Sequence, residues 1–235
     1  MTPISRAACM LGTVAALALA APALAEDRSG ENRDVAAAAP AGGGVEQMAL
    51  AQALYAVGVA QGDALTVLAA ARLALAVPVE DAPAETEQAP IAGAEPGETS
   101  GPDTAPPDAA AMLATARDLA GGDETLLALI EDAEVEGARG RIGGAVRRLS
   151  RLPGGYSDVH RVPYYGGVLA ELAIVGDGAS NLDVLVTDEN RNTICYDVSR
   201  SDKVYCSWVP RWNGYFTVLV ENRGRSRNSY YLMTN

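Results

Sequence analysis

Hydrolysis through an activated serine needs an imidazole within reach of the hydroxyl, and this 235-residue chain has one histidine, His160. It lies in SDVHRV, where a period of two sets it with Asp158 on the face opposite Val159, the pattern of an exposed strand histidine. No G-x-S-x-G elbow occurs to present a nucleophile. A phosphate cradle fails as well, because the glycines of Gly137 to Gly144 follow a helical stretch and the sole lysine, Lys203, is remote from them. Three cysteines and one histidine are too few for a zinc site. Calcium is the metal the side chains come nearest to suiting, with Asp177, Asp183 and Asp188 near turns of a strand-rich region. The run Asp188-Glu189-Asn190-Arg191-Asn192 imitates the start of a calcium loop but lacks the glycine at the sixth place and the later bidentate glutamate. Ala179 and Asn181 remove two further ligands. The expectation is therefore a chain with no catalytic or cofactor-binding residues, not an enzyme, with calcium at most a weak ligand.

The cysteines depend on the compartment. Residues 1–25 carry one charge, Arg6, then a small and apolar run from Ala7 that closes with Ala23-Leu24-Ala25, a small-x-small cleavage pattern. This reads as a secretory signal peptide with Glu26 as the mature N-terminus. Cys9 precedes the apolar segment instead of following it, so no lipid anchor is expected, and acidic text follows in place of a basic stop-transfer flank. An exported chain, periplasmic or secreted, is oxidised, and Cys195 and Cys206 are expected to pair. Both take core-facing positions, and the turn Ser199 to Asp202 between them would set them opposite each other on adjacent strands. Closing so short a loop contributes about 3 kcal/mol by chain entropy.

The elements that would hold these residues differ between the two halves. From Gly176 to Met233 the text is a series of short alternating strands. Leu182, Val184 and Val186 share one face, as do Ala170, Leu172 and Ile174 on the strand before. If a hairpin turns at Gly224 and Arg225, Val220 faces Tyr230, Val218 faces Leu232 and Phe216 faces Thr234, one apolar set on one side. Trp208 alternates with Cys206 toward the core, whereas Trp212, beyond Pro210 at a bend, is free to be exposed. The order of signals is a Gly176-Asp177-Gly178 turn, a Leu-Asp-hydrophobic strand, an Asp-Glu-Asn turn, W-x-P-x-x-x-G from Trp208, V-x-V-x-N from Val218 and a closing N-x-Y-x-L from Asn228. From roughly Val159 on, this resembles the bacterial pre-peptidase C-terminal domain, a small β-sandwich. The resemblance departs at Phe216, where that family usually has tyrosine, and at Ala179 and Asn181, where it has more acid. It implies a module that accompanies secreted peptidases and other exported proteins without supplying chemistry.

Residues 26–44 lack periodicity and read as a disordered arm. Residues 45–77 read as a helical hairpin, helices at 46–60 and 64–77 about Gln61-Gly62-Asp63. Residues 108–136 read as a second, with Asp108 and Asp123 as caps and Gly121-Gly122 as the turn. The shared Gly-Asp turns hint at degenerate tetratricopeptide-like units packing as one four-helix layer. Between them, residues 78–107 hold seven prolines and seven carboxylates without a base, an extended linker that loops out. Residues 137–156, with Arg139, Arg141, Arg147, Arg148 and Arg151, read as a basic hinge, either a contact for an anionic envelope surface or a match for the protein's own acid. Residues 157–235 form the sandwich. The fold class is thus α+β and segregated, all-α hairpins followed by a jelly-roll-like antiparallel β-sandwich.

Charge divides in the same way, net −17 over residues 26–138 and net +4 over 139–235. An acidic whole has no electrostatic reason to bind nucleic acid, and two halves of opposite sign attract. Helices this short do not span a bilayer, so no transmembrane segment is expected once the signal is removed. The outward faces of the last two strands carry Tyr215, Leu219, Tyr231 and Met233, read as one apolar strip that either the protein's own helices or a partner covers. The function expected is protein or envelope-surface binding. The rivals are an accessory subunit or inhibitor of a secreted peptidase, and a hydrolase whose carboxylate pair is not recognisable.

Overall fold

Helices arise where a cap precedes small and apolar residues. α1 (Gly44–Gln61) ends at Gly62, whose φ of 65° reverses the chain, and Asp63 starts α2 (Ala64–Leu75) by accepting from the Leu65 N–H. α3 (Ala109–Ala120) and α4 (Glu124–Glu136) repeat the device. Asp108 accepts from the Ala111 N–H, Gly121 turns at φ 58°, and Asp123 accepts from the Thr125 and Leu126 N–H groups. In this computed structural model residues 28–37, 41–99, 104–136 and 144–235 are described. The signal segment 1–25, Arg139 and Arg141 lie outside them. The helices pack in one layer, α1 on α2, α2 on α3 and α3 on α4. Among the described residues no helix is long and apolar enough to cross a membrane.

Ten strands make the rest: β1 (Val79–Asp81), β2 (Glu87–Pro90), β3 (Ala145–Leu152), β4 (Tyr156–Tyr164), β5 (Ala170–Gly176), β6 (Asp183–Thr187), β7 (Thr193–Asp197), β8 (Lys203–Trp208), β9 (Gly214–Asn222) and β10 (Asn228–Thr234). They form two five-stranded sheets, ordered β1-β3-β10-β5-β8 and β2-β4-β9-β6-β7, antiparallel except for the β1–β3 pair. The layout is α+β, a helical layer on a sandwich. Leu172, Ile174, Leu182, Val184, Val186, Phe216, Val218, Val220, Tyr230 and Leu232 fill the space between the sheets, as their alternation implies. On the outer face of the first sheet, Ala173, Val175, Tyr231 and Met233 join the helical core instead.

Several expectations are corrected here. β9 and β10 are not a hairpin: β9 pairs with β4 and β6, and β10 with β3 and β5, so the chain after Asn222 crosses between sheets. Alternation reveals which residues face a core but not from which sheet they face it. Asn222 holds the crossing, its Nδ2 donating to the Leu152 and Ser226 carbonyls. The Pro-rich segment does not loop out. Its β1 and β2 supply an edge strand to each sheet, with Pro78 and Pro90 at strand ends where a missing N–H costs no ladder bond. Part of the basic hinge is β3, where Arg147 grips Asp81 of β1 through Nε and Nη2 (2.7 and 2.9 Å) and lies over the Tyr231 ring. The arm read as disordered is pinned to the sandwich over residues 28–34.

Candidate functional site

Four loops converge on one end of the sandwich, and Asn32 ties them together. Fully buried, it accepts at Oδ1 from the Arg211 and Trp212 N–H groups (2.9 and 3.1 Å) and donates from Nδ2 to the Trp212 carbonyl (3.2 Å). Its backbone N–H reaches Asp188 Oδ2 (2.8 Å). Trp212 Nε1 donates to Glu189, and Asn190 and Asn192 donate to carbonyls of the 28–30 segment. Two glycines make the approach feasible: a Cβ on Gly166 would lie 2.6 Å from Trp212 Cα, and one on Gly214 would lie 2.7 Å from Asn32 Nδ2. The Gly166 N–H also donates to Asn213 Oδ1.

A cleft of about 440 Å³ opens on this end, lined among others by Arg28, Arg161, Tyr165, Glu189, Asn213 and Tyr215. Tyr165 and Tyr215 are 74% and 55% exposed, and the Arg161 guanidinium lies over the Tyr215 ring, 5.1 Å from its centroid. Among the described residues Arg161 has no carboxylate partner. The end of β4, the loop that follows it and the start of β9 thus present aromatic side chains and a cation to solvent.

The groups with catalytic potential lie elsewhere and out of reach. His160 is not exposed as its polarity suggests: it and Asp158 are on the core face of β4 with Val162 and Tyr164. Asp158 accepts from Ser150 Oγ (2.5 Å) and the Tyr230 hydroxyl (2.8 Å) on one oxygen and from Gln88 Nε2 (2.9 Å) on the other. With its proton committed to Asp158, the Tyr230 hydroxyl accepts from His160 Nε2 at 2.6 Å, which fixes the tautomer. Burial pushes Tyr230 well above its ordinary value, reinforced by Asp158, and lowers His160. Ser150, itself buried, bonds to the carboxylate and not to the imidazole. Asp158, Ser150 and Tyr230 satisfy one another, while His160 Nδ1 is left without a hydrogen-bond partner among the described residues.

The cysteines pair as expected, Cα atoms 6.2 Å apart, but β7 and β8 belong to different sheets, so the disulfide joins the two sheets at their edge instead of two neighbours in one. The calcium candidates are not brought together. Asp177 accepts from the Ala179 and Ser229 N–H groups, Asp183 from Asn181 Nδ2, and Asp188 from Asn32, Asn190 and Asn192. Among the described residues no three His, Cys, Asp or Glu side chains gather to hold an ion. The apolar strip also divides. Tyr215 and Leu219 lie on the outer face of the second sheet, whereas Tyr231 and Met233 are buried under the helices, a consequence of β9 and β10 lying in different sheets.

Sequence reasoning missed Asn32, Arg161 and Tyr165, since nothing local shows that residues some 130 to 180 positions apart meet; the only signal for the docked segment is the dense Asp188-to-Asn192 turn that receives it. It also missed Glu171, the one acid in an otherwise apolar strand. Glu171 is buried and accepts from the Gly43 and Glu46 N–H groups (2.8 and 3.1 Å) at the start of α1 and from the Tyr205 hydroxyl (2.9 Å).

The chain matches no protein family and no curated protein. Among solved structures it is similar to the pre-peptidase C-terminal domain of a collagenase from Bacillus anthracis, at 13% identity and a TM-score of 0.34, over 38% of this chain and 87% of that one. That domain is of the kind whose resemblance the strand motifs carry.

Proposed function

We propose that the protein is an exported, non-catalytic module, periplasmic or secreted, which binds at the cell envelope through the loop end of its sandwich. One observation carries the reading: the chain's histidine is sealed in the core with the aspartate and serine of the same polar cluster, while the exposed Tyr165, Tyr215 and Arg161, the last without a carboxylate partner among the described residues, lie at the end of the sandwich whose loops Asn32 ties together. The Cys195–Cys206 disulfide and the apolar leader support export. The motif resemblance supports a module without chemistry of its own. The test is sedimentation of the purified mature protein with isolated bacterial envelopes. The wild type is expected in the pellet and the Tyr165→Ala/Tyr215→Ala variant in the supernatant, with equal thermal midpoints. A wild type that stays in the supernatant overturns the reading, as does turnover of ester or peptide substrates that survives in both proteins.

A further inference from the structure

We propose that the cleft between Arg161, Tyr165 and Tyr215 binds an acidic polysaccharide, a chain of sugars bearing carboxylates; this rests on the envelope-binding reading and names its ligand. The cleft's volume, about 440 Å³, is that of a small-molecule site open to one side. It offers two ring faces at solvent-exposed tyrosines, which can cover the apolar C–H faces of sugar rings while their hydroxyls stay wet. The Arg161 guanidinium sits over the Tyr215 ring, which restrains it while leaving its N–H groups able to pair with a carboxylate in bidentate fashion. Arg28 lines the same cleft. Glu189, the acid in the lining, is engaged by Trp212 Nε1 and Asn32 Nδ2 and so is partly neutralised toward an anion.

The placement favours sugar over peptide. Peptides are commonly held by adding a strand to a sheet edge, but Arg161 and Tyr215 come from β4 and β9, both interior strands, and the edges of that sheet are β2 and β7. A nucleic acid would need many cations to neutralise its phosphates, whereas the formal net charge is −12. That charge also sharpens the test, because retention by a polyanion must then come from a local site and not from a general field.

The experiment is affinity electrophoresis of the mature protein through gels containing polygalacturonate or alginate, with fully methyl-esterified polygalacturonate and poly-glutamate as controls. Retardation is expected in either carboxylated polysaccharide and in neither control. Arg161→Gln is expected to weaken binding about tenfold, the loss of one charge-assisted pair, and Tyr215→Leu about fivefold, the loss of an aromatic face. Both side chains lie outside the core, so an unchanged urea midpoint verifies the fold. Retardation by the ester, equal retardation by poly-glutamate, or unaltered binding by both variants each overturns the proposal. So does the absence of retardation in both acidic gels. If envelope sedimentation persists in that last case, the ligand class is wrong while the binding function stands; if sedimentation is also lost, both fall.

Discussion

His160 is a polar residue that the core holds in one protonation state. Burial lowers its affinity for a proton, Asp158 opposes that, Arg148 adds to it, and the neighbouring Tyr230 hydroxyl takes the Nε2 proton as an acceptor. An unfolded chain takes up a proton on this histidine near its ordinary value of about 6.5, while the folded chain resists. Stability therefore does not depend on this group above that pH, and it declines as pH falls from there toward the lowered folded value. Urea unfolding of the wild type at pH 7.5 and 5.5 is expected to show a drop in midpoint that is clearly smaller in His160→Gln, which cannot titrate. Equal drops would mean that the cost of acid lies in other groups. Alternation in SDVHRV correctly joined Asp158 and His160 on one face. What it could not reveal is that a serine from β3, a tyrosine from β10 and a glutamine from β2 gather there, and polarity without that knowledge reads as exposure.

At the scale of elements, the docking of α1 depends on one buried carboxylate. Glu171 on β5 meets the N-terminus of α1, where unpaired N–H groups and the helix dipole favour an anion, and a Cβ on Gly43 would lie 2.3 Å from Glu171 Oε2, so a side chain there would push the carboxylate from its place. Burial and then the bond to Glu171 raise the Tyr205 hydroxyl above its usual range. Glu171→Ala would leave the Gly43 and Glu46 donors without that partner and is expected to cost about 1–3 kcal/mol. Hydrogen exchange should report it first in the amides at the start of α1, with β9 unchanged; uniform loss of protection would show that Glu171 supports the sandwich itself. The four helices and the core faces of β5, β6 and β9 were legible because caps and periodicity are local. β1, β2 and β3 were not, since VED and EQAP are too short and too acidic for a hydrophobic period. In β3 both faces are used, Leu149 toward the helices and Leu152 toward the other sheet, which leaves arginines scattered along the alternation.

For the whole molecule, the acidic segment between the helical hairpins is the part whose role changes most. Opposite charge on the two halves suggested attraction, and the Arg147–Asp81 pair joins them with two bonds, but the Arg225–Glu95 pair is almost fully exposed and contributes little. The halves are held by shared strands and a shared core. β1 lies on β3, β2 lies on β4, and the Ile91, Gly97 and Glu98 N–H groups donate to carbonyls of Gly155, Gly154 and Arg225. Ala173, Val175, Tyr231 and Met233 form one apolar cluster with the helices. A glutamate-specific protease should still cut first between residues 80 and 103, where the described carboxylates are exposed and the elements short. The consequence differs from that of a free linker. The α1–α2 hairpin, carrying β1 and one side of the apolar cluster, is expected to co-elute with the rest of the chain in gel filtration at neutral pH and to part from it only in denaturant. Fragments that separate without denaturant would mean that the edge pairings add nothing and that the helices sit on the sandwich as a detachable layer. Fragments that stay together would mean that the segment acts as a clasp, in which the chain leaves the helical layer, closes the open edge of both sheets and returns.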